Sequence, residues 1–125
     1  MASNPVRWFE LYVQDMDRAR RFYEAVLGTR LEQIGPEGGD LDMWAFPMTP
    51  EAPGTGGALV KAEGVASGPG GTLVYFASED CAVEAGRVAA AGGRVEREKM
   101  SIGQYGFIAL VRDSEGNLFG LHSLK

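Results

Sequence analysis

One histidine, His122, and one cysteine, Cys81, occur among the 125 residues. Sites that need two histidines, cysteine-only zinc sites and intrachain disulfides are therefore excluded. The chain carries no HExxH, no GxxxxGKS/T phosphate loop, no GxGxxG after a strand, no GxSxG elbow and no CxxC. The residue best suited to chemistry is Glu10. It stands between Trp8 and Tyr12 in an alternating run, where aromatic neighbours would partly desolvate it and raise its pKa. That would suit it to act as a general base or as the partner of a cationic or hydroxylated ligand. Trp44 and Phe46 offer flat surfaces for stacking on a planar ligand, or for packing between sheets. His122 could share the pocket of Glu10, although its place near the end of the sequence also fits an exposed tail residue. Cys81 follows Asp80 at a helix start, where free N–H groups would lower a thiol pKa, yet it falls on an apolar stripe that suits a packing residue. Arg18, Arg20 and Arg21 read as the wet face of a helix.

The elements that must position these residues follow from periodicity. Residues 7–14, RWFELYVQ, alternate: Phe9, Leu11 and Val13 form an apolar face, and Trp8, Glu10, Tyr12 and Gln14 a mixed one. Asp15 or Asp17 can cap a following helix with Met16, Ala19, Phe22, Tyr23, Val26 and Leu27 at helical spacing, stopped by Gly28. A short strand near residues 29–34, a turn at Pro36-Glu37-Gly38-Gly39, and the strands LDMWAFPM (41–48) and GALVKAE (57–63) complete the first half. After the glycine-rich connector GVASGPGG (64–71) the plan recurs. TLVYFA (72–77) is a strand, and Asp80 caps a helix with Cys81, Ala85, Val88 and Ala89 on its stripe, ended by Gly92 and Gly93. RVEREK (94–99), YGFIALVR (105–112) and NLFGLHS (117–123) are strands, the last two joined by a turn at Asp113–Asn117. Asp15 and Asp80, like Gly28 and Gly93, lie about 65 residues apart, so the layout is a twofold repeat of strand, helix and three strands.

One helix can cover only one face of each four-stranded sheet. Phe9, Leu11, Val13, Phe119 and Leu121 are expected beneath the helices. On the opposite face the alternation places Trp8, Glu10, Tyr12, Trp44, Phe46, Leu118, Gly120 and His122, a mixture suited to lining a cavity for a partly apolar ligand.

The run WFELYVQDMDRARRFYEAVLG and the hairpin VRDSEGNLFGLHS resemble the vicinal oxygen chelate superfamily of glyoxalase I, bleomycin-resistance proteins and ring-cleaving dioxygenases. The resemblance covers nearly the whole chain. It implies a single α+β domain over 1–125 in which two βαβββ modules, 7–63 and 72–123, form curved mixed sheets around a cup. One helix packs on the outside of each sheet, and chains of this length usually form homodimers. In the metal-dependent members the resemblance places ligands about seven residues before the first-helix Asp and about seven after the hairpin Asp, with others on the fourth and fifth strands. Here those positions hold Trp8 and Gly120, with Leu59, Val60, Lys61 and Ala62 on the fourth strand and Leu73, Val74 and Tyr75 on the fifth. Of these only the phenol is even a poor ligand. A relocated site on Glu10, His122 and Glu63 would supply too few converging donors.

A net charge of −5 has the wrong sign for phosphate backbones, so no nucleic acid partner is expected. The N-terminal MASNPVRWFE lacks the pattern of a secretory signal and no stretch reaches membrane-span length, so a cytoplasmic protein with no membrane partner is expected. The expected function is metal-independent binding of an aromatic or amphipathic small molecule in the concave sheet by a homodimer, with no cofactor. The rival is a glyoxalase-like lyase, isomerase or dioxygenase with a displaced metal or with Glu10 as catalytic base. A third possibility is a subunit whose concave face holds another protein.

Overall fold

The computed structural model describes residues 4–35 and 40–125; the turn expected at Pro36–Gly39 lies outside the described residues. Among the described residues, eight strands and two α-helices fall in two units with the same connectivity, Trp8–Thr72 and Leu73–Lys125, the latter together with residues 4–7.

In the first unit, β1 (Val6–Tyr12) leads into α1 (Met16–Leu27) and then β2 (Glu32–Ile34), β3 (Leu41–Ala45) and β4 (Gly56–Ala62). The order across this sheet is β2-β3-β4-β1, with β1 parallel to β4 and the other pairs antiparallel. Asp15 is the N-cap of α1 and accepts a hydrogen bond from Arg18 N, and Gly28 ends the helix in the left-handed region at φ 64°. Of the two candidate caps, Asp15 takes the role and Asp17 lies in the first turn, while Gly28 stops the helix as expected, because a short acidic side chain satisfies the orphan N–H groups and only glycine enters that region without strain. The inner side of α1 carries Met16, Ala19 and Tyr23, which pack with Leu31 and Leu59 on Leu11 and Val13. Phe22, Val26 and Leu27, expected on the buried stripe, are exposed. The helix is amphipathic over a narrower arc than its apolar content suggests.

In the second unit, β5 (Thr72–Ala77), α2 (Cys81–Ala85), β6 (Arg94–Ser101), β7 (Phe107–Arg112) and β8 (Leu118–Ser123) repeat the plan, in the order β5-β8-β7-β6 with β5 parallel to β8. A 3-10 turn, Gly103–Tyr105, precedes β7. The expected helix from Asp80 to Gly92 is cut short. Gly86 follows Ala85, and the chain continues through turns whose hydrogen bonds mostly span three residues, such as Arg87 N to Glu84 O and Gly92 N to Ala89 O. Glycine lacks the helix propensity to carry the segment on. Val88 still packs on the core formed by Cys81, Ala85, Ala109, Val111 and Leu121, beside Phe76 and Phe119. At the β7–β8 turn the Asp113 carboxylate accepts from the N–H groups of Glu115 and Asn117 and from Asn117 Nδ2.

Candidate functional site

Alternation along β1 sends Leu11 toward α1, so Trp8, Glu10 and Tyr12 occupy the other face of the same sheet. Side chains two apart on a strand share a face, and here they meet. Trp8 Nε1 donates to Glu10 Oε2 at 3.1 Å, and the Tyr12 hydroxyl donates to Glu10 Oε1 at 2.7 Å. Glu10 is 8% exposed. Burial pushes its carboxyl above the ordinary glutamate value of 4.5, and the two donated hydrogen bonds, which favour the charged form, only partly offset this.

The sheet register supplies neighbours that sequence reasoning missed. Glu10 lies opposite Ala58, which lies opposite Ala45, so the carboxylate stands in a row of small side chains. Trp8 lies opposite Gly56. A Cβ there would come 2.4 Å from Met48 Sδ and 3.4 Å from Trp8 Cζ3, so Met48 and Trp8 close over that glycine. The signal is present as Ala58 in GALVKAE, Ala45 in LDMWAFPM and Gly56 just before GALVKAE, but their rank against Glu10 and Trp8 depends on register.

Trp44 and Phe46 do not join this face, which corrects the expectation. Trp44 pairs across with Leu59, which pairs with Leu11, and both aromatics pack against the α1 side of the sheet. Phe46 contacts the rings of Phe9 and Tyr23, each at 5.7 Å. The Arg20 guanidinium stacks 3.5 Å from the Trp44 ring centroid. The alternation expected over LDMWAFPM holds at Asp42 and Trp44, whose Nε1 donates to Asp42 Oδ1, but β3 ends at Ala45, and Met48 lies with Trp8 over Gly56 and not on the side of Trp44 and Phe46. Its phase relative to β1 is the reverse of that expected, because α1 and β2 separate the two strands in sequence and a one-residue shift turns every side chain over.

Leu118, Gly120 and His122 belong to the other unit, on the face of β8 opposite Phe119 and Leu121. His122 Nε2 lies 2.6 Å from the Tyr105 carbonyl oxygen, which can only accept, so Nε2 carries the proton. His122 Nδ1 is buried and has no hydrogen-bond partner among the described residues. Cys81 is fully buried, and its N–H donates to Ser123 Oγ. The thiol is a core group.

The positions at which the resemblance puts metal ligands do not fit a metal. Trp8 Nε1 is a donor already committed to Glu10. A Cβ on Gly120 would come 2.2 Å from Tyr75 Cδ2, so the Tyr75 ring fills the space a ligating side chain would need. Glu63 is exposed beyond the end of β4. Among the described residues no group of three or more His, Cys, Asp or Glu is placed to hold a metal ion.

Residues 6–121 match the model of the Glyoxalase/Bleomycin resistance protein/Dioxygenase superfamily, and the chain belongs to that family. Two curated relatives, named "Putative glyoxylase CFP32" in Mycobacterium bovis and in Mycobacterium tuberculosis, are each 31% identical over 123 residues, covering 91% of this chain and 42% of theirs. The chain thus spans about two-fifths of the length of those relatives. Among solved structures, methylmalonyl-CoA epimerase from Mycobacterium tuberculosis superposes with a TM-score of 0.68 at 16% identity, covering 100% of this chain and 93% of that one. A hypothetical protein from Bacillus halodurans superposes with a TM-score of 0.72 at 12% identity, covering 99% and 96%. Likenesses at that identity establish the α+β fold alone.

Proposed function

We propose that the protein binds a small aromatic or amphipathic molecule against the Trp8, Glu10 and Tyr12 face of β1 without a metal ion, Glu10 being the polar anchor. The observation that carries this reading is a carboxylate only 8% exposed, held by an indole and a phenol on the sheet face that α1 leaves uncovered. A buried polar group fixed by aromatic neighbours orients a ligand, and the apolar rings supply its contact area. The test is a thermal-shift screen of small aromatic molecules in buffer containing a chelator. A ligand present at about 100 times its Kd adds about 2.7 kcal/mol of stability. That stabilisation is expected to persist with the chelator and to weaken in Trp8→Ala and Glu10→Gln. A requirement for one equivalent of divalent ion would overturn the reading.

A second reading, a lyase, isomerase or dioxygenase of the glyoxalase type with Glu10 as base, draws on the raised pKa of Glu10 and on the names of the relatives. Deuterium exchange from solvent into a carbon acid such as methylmalonyl-CoA, lost in Glu10→Gln, would decide in its favour.

A further inference from the structure

Each carboxylate oxygen of Glu10 accepts one hydrogen bond, and both donors are neutral: an indole N–H and a phenol O–H. Among the described residues no lysine, arginine or histidine forms an ion pair with this carboxylate. The ion pairs of the same unit, Arg20 with Asp17 and with Glu24, are on α1, across the sheet from it. Two acids of the other unit show what a matched carboxylate looks like here. Asp80 has Lys99 at 2.8 Å, and Glu96 has Arg94 at 2.6 Å and Arg112 at 2.9 Å. Glu10 is therefore a buried carboxylate without a countercharge. Buried charges are costly unless paired, so proteins seldom keep one that serves nothing.

The surroundings say which charge would complete it. A carboxylate offers about four lone-pair sites, so Oε1 and Oε2 each keep acceptor capacity beyond the bonds from Tyr12 and Trp8. An anionic group would meet repulsion here, and a neutral hydroxyl would leave the carboxylate uncompensated. We propose that the ligand taken at this face carries a positively charged nitrogen, an ammonium or amidinium on an aromatic body, whose N–H groups donate to the open lone pairs of Glu10. The proposal rests on the reading of this face as the ligand site and goes further in naming the ligand's charge.

The test compares matched probes by isothermal titration: benzylamine with benzyl alcohol, phenethylamine with 2-phenylethanol, and tryptamine with tryptophol, at neutral pH and low salt. At least one amine is expected to bind about ten-fold tighter than its alcohol, the step that one charge-assisted pair supplies. Added salt should narrow the gap. Glu10→Gln should bring the amine to the affinity of the alcohol, and Glu10→Asp, which keeps the charge, should retain the preference. An alcohol that binds as tightly as its amine, with both weakened in Glu10→Gln, would overturn the cationic assignment while leaving the ligand site standing. Absence of binding by every probe would overturn both. A preference for the amine that survives unchanged in Glu10→Gln would place the cation elsewhere and overturn the assignment.

Discussion

Two aromatic side chains occupy the space that a glycine leaves in the strand beside them. Phe9 covers Gly57, and Tyr75 covers Gly120, where an added Cβ would lie 2.4 Å and 2.2 Å from the respective rings. These cross-strand pairs compensate for what glycine costs a sheet. At Gly120 the pair also explains why the family's ligand position cannot be restored by one substitution. Gly120→Ala must displace the Tyr75 ring, and overpacking of this kind costs about 1–3 kcal/mol. Urea denaturation is expected to show that loss, and Gly120→Glu should lose at least as much and gain no affinity for divalent ions. Glu10 behaves differently at the same scale. In Glu10→Gln the amide oxygen can accept from Trp8 Nε1, and the amide nitrogen can donate to the Tyr12 hydroxyl oxygen, so the substitution removes a charge and keeps both partners.

At the scale of elements, the start of α2 is tied to the end of β8. Ser123 is fully buried, accepts from Cys81 N–H at 3.0 Å and donates to the Lys125 carbonyl at 2.9 Å. Ser123→Ala leaves the Cys81 N–H buried without an acceptor, which costs about 1–3 kcal/mol. Amide hydrogen exchange at Cys81 should accelerate in that variant, and an unchanged melting temperature would show that another group takes over the N–H. None of this could be read from NLFGLHS, because the partner is 42 residues away. What could be read was local. The alternation of β1, the Asp15 cap, the Gly28 stop, the Asp80 cap and the Asp113–Asn117 turn each depend on a few adjacent residues. The Trp8, Glu10 and Tyr12 set was legible for the same reason, since residues two apart on a strand share a face. The misplacement of Trp44 and Phe46 and the shortened α2 have the opposite origin. Register between strands and the balance of packing against a glycine's weak propensity are settled by contacts distant in sequence.

At the scale of the whole molecule, five acidic groups divide into two sets that bend the pH dependence of stability in opposite directions. Asp15, Asp80 and Asp113 are held below the ordinary aspartate value of 3.8, and Glu96 below 4.5, by hydrogen bonds donated to their carboxylates from backbone N–H groups, from Lys99, from Asn117, and from Arg94 and Arg112. Their unfolded forms bind protons more readily than their folded ones. Their contribution is therefore fully present above the unfolded values and is lost as pH falls through the lowered folded ones. These groups are exposed, so each contribution is small. Glu10 has the reverse sign. Its folded value is raised above 4.5 by burial, so the folded protein holds the proton more tightly, and stability declines as pH rises from 4.5 through the raised value. The melting temperature should accordingly fall modestly in acid, pass a maximum, and decline again as Glu10 ionises. Ionisation of the other acids also builds up a net charge of −5 by neutral pH, so the wild-type curve alone cannot assign the second decline. The difference between Glu10→Gln and wild type can. It should be constant below pH 4.5, grow in favour of the variant as Glu10 ionises, and level off above its folded pKa. A difference that stays flat across the whole range would mean that Glu10 titrates as it does in the unfolded chain, and that the carboxylate is not buried without a countercharge.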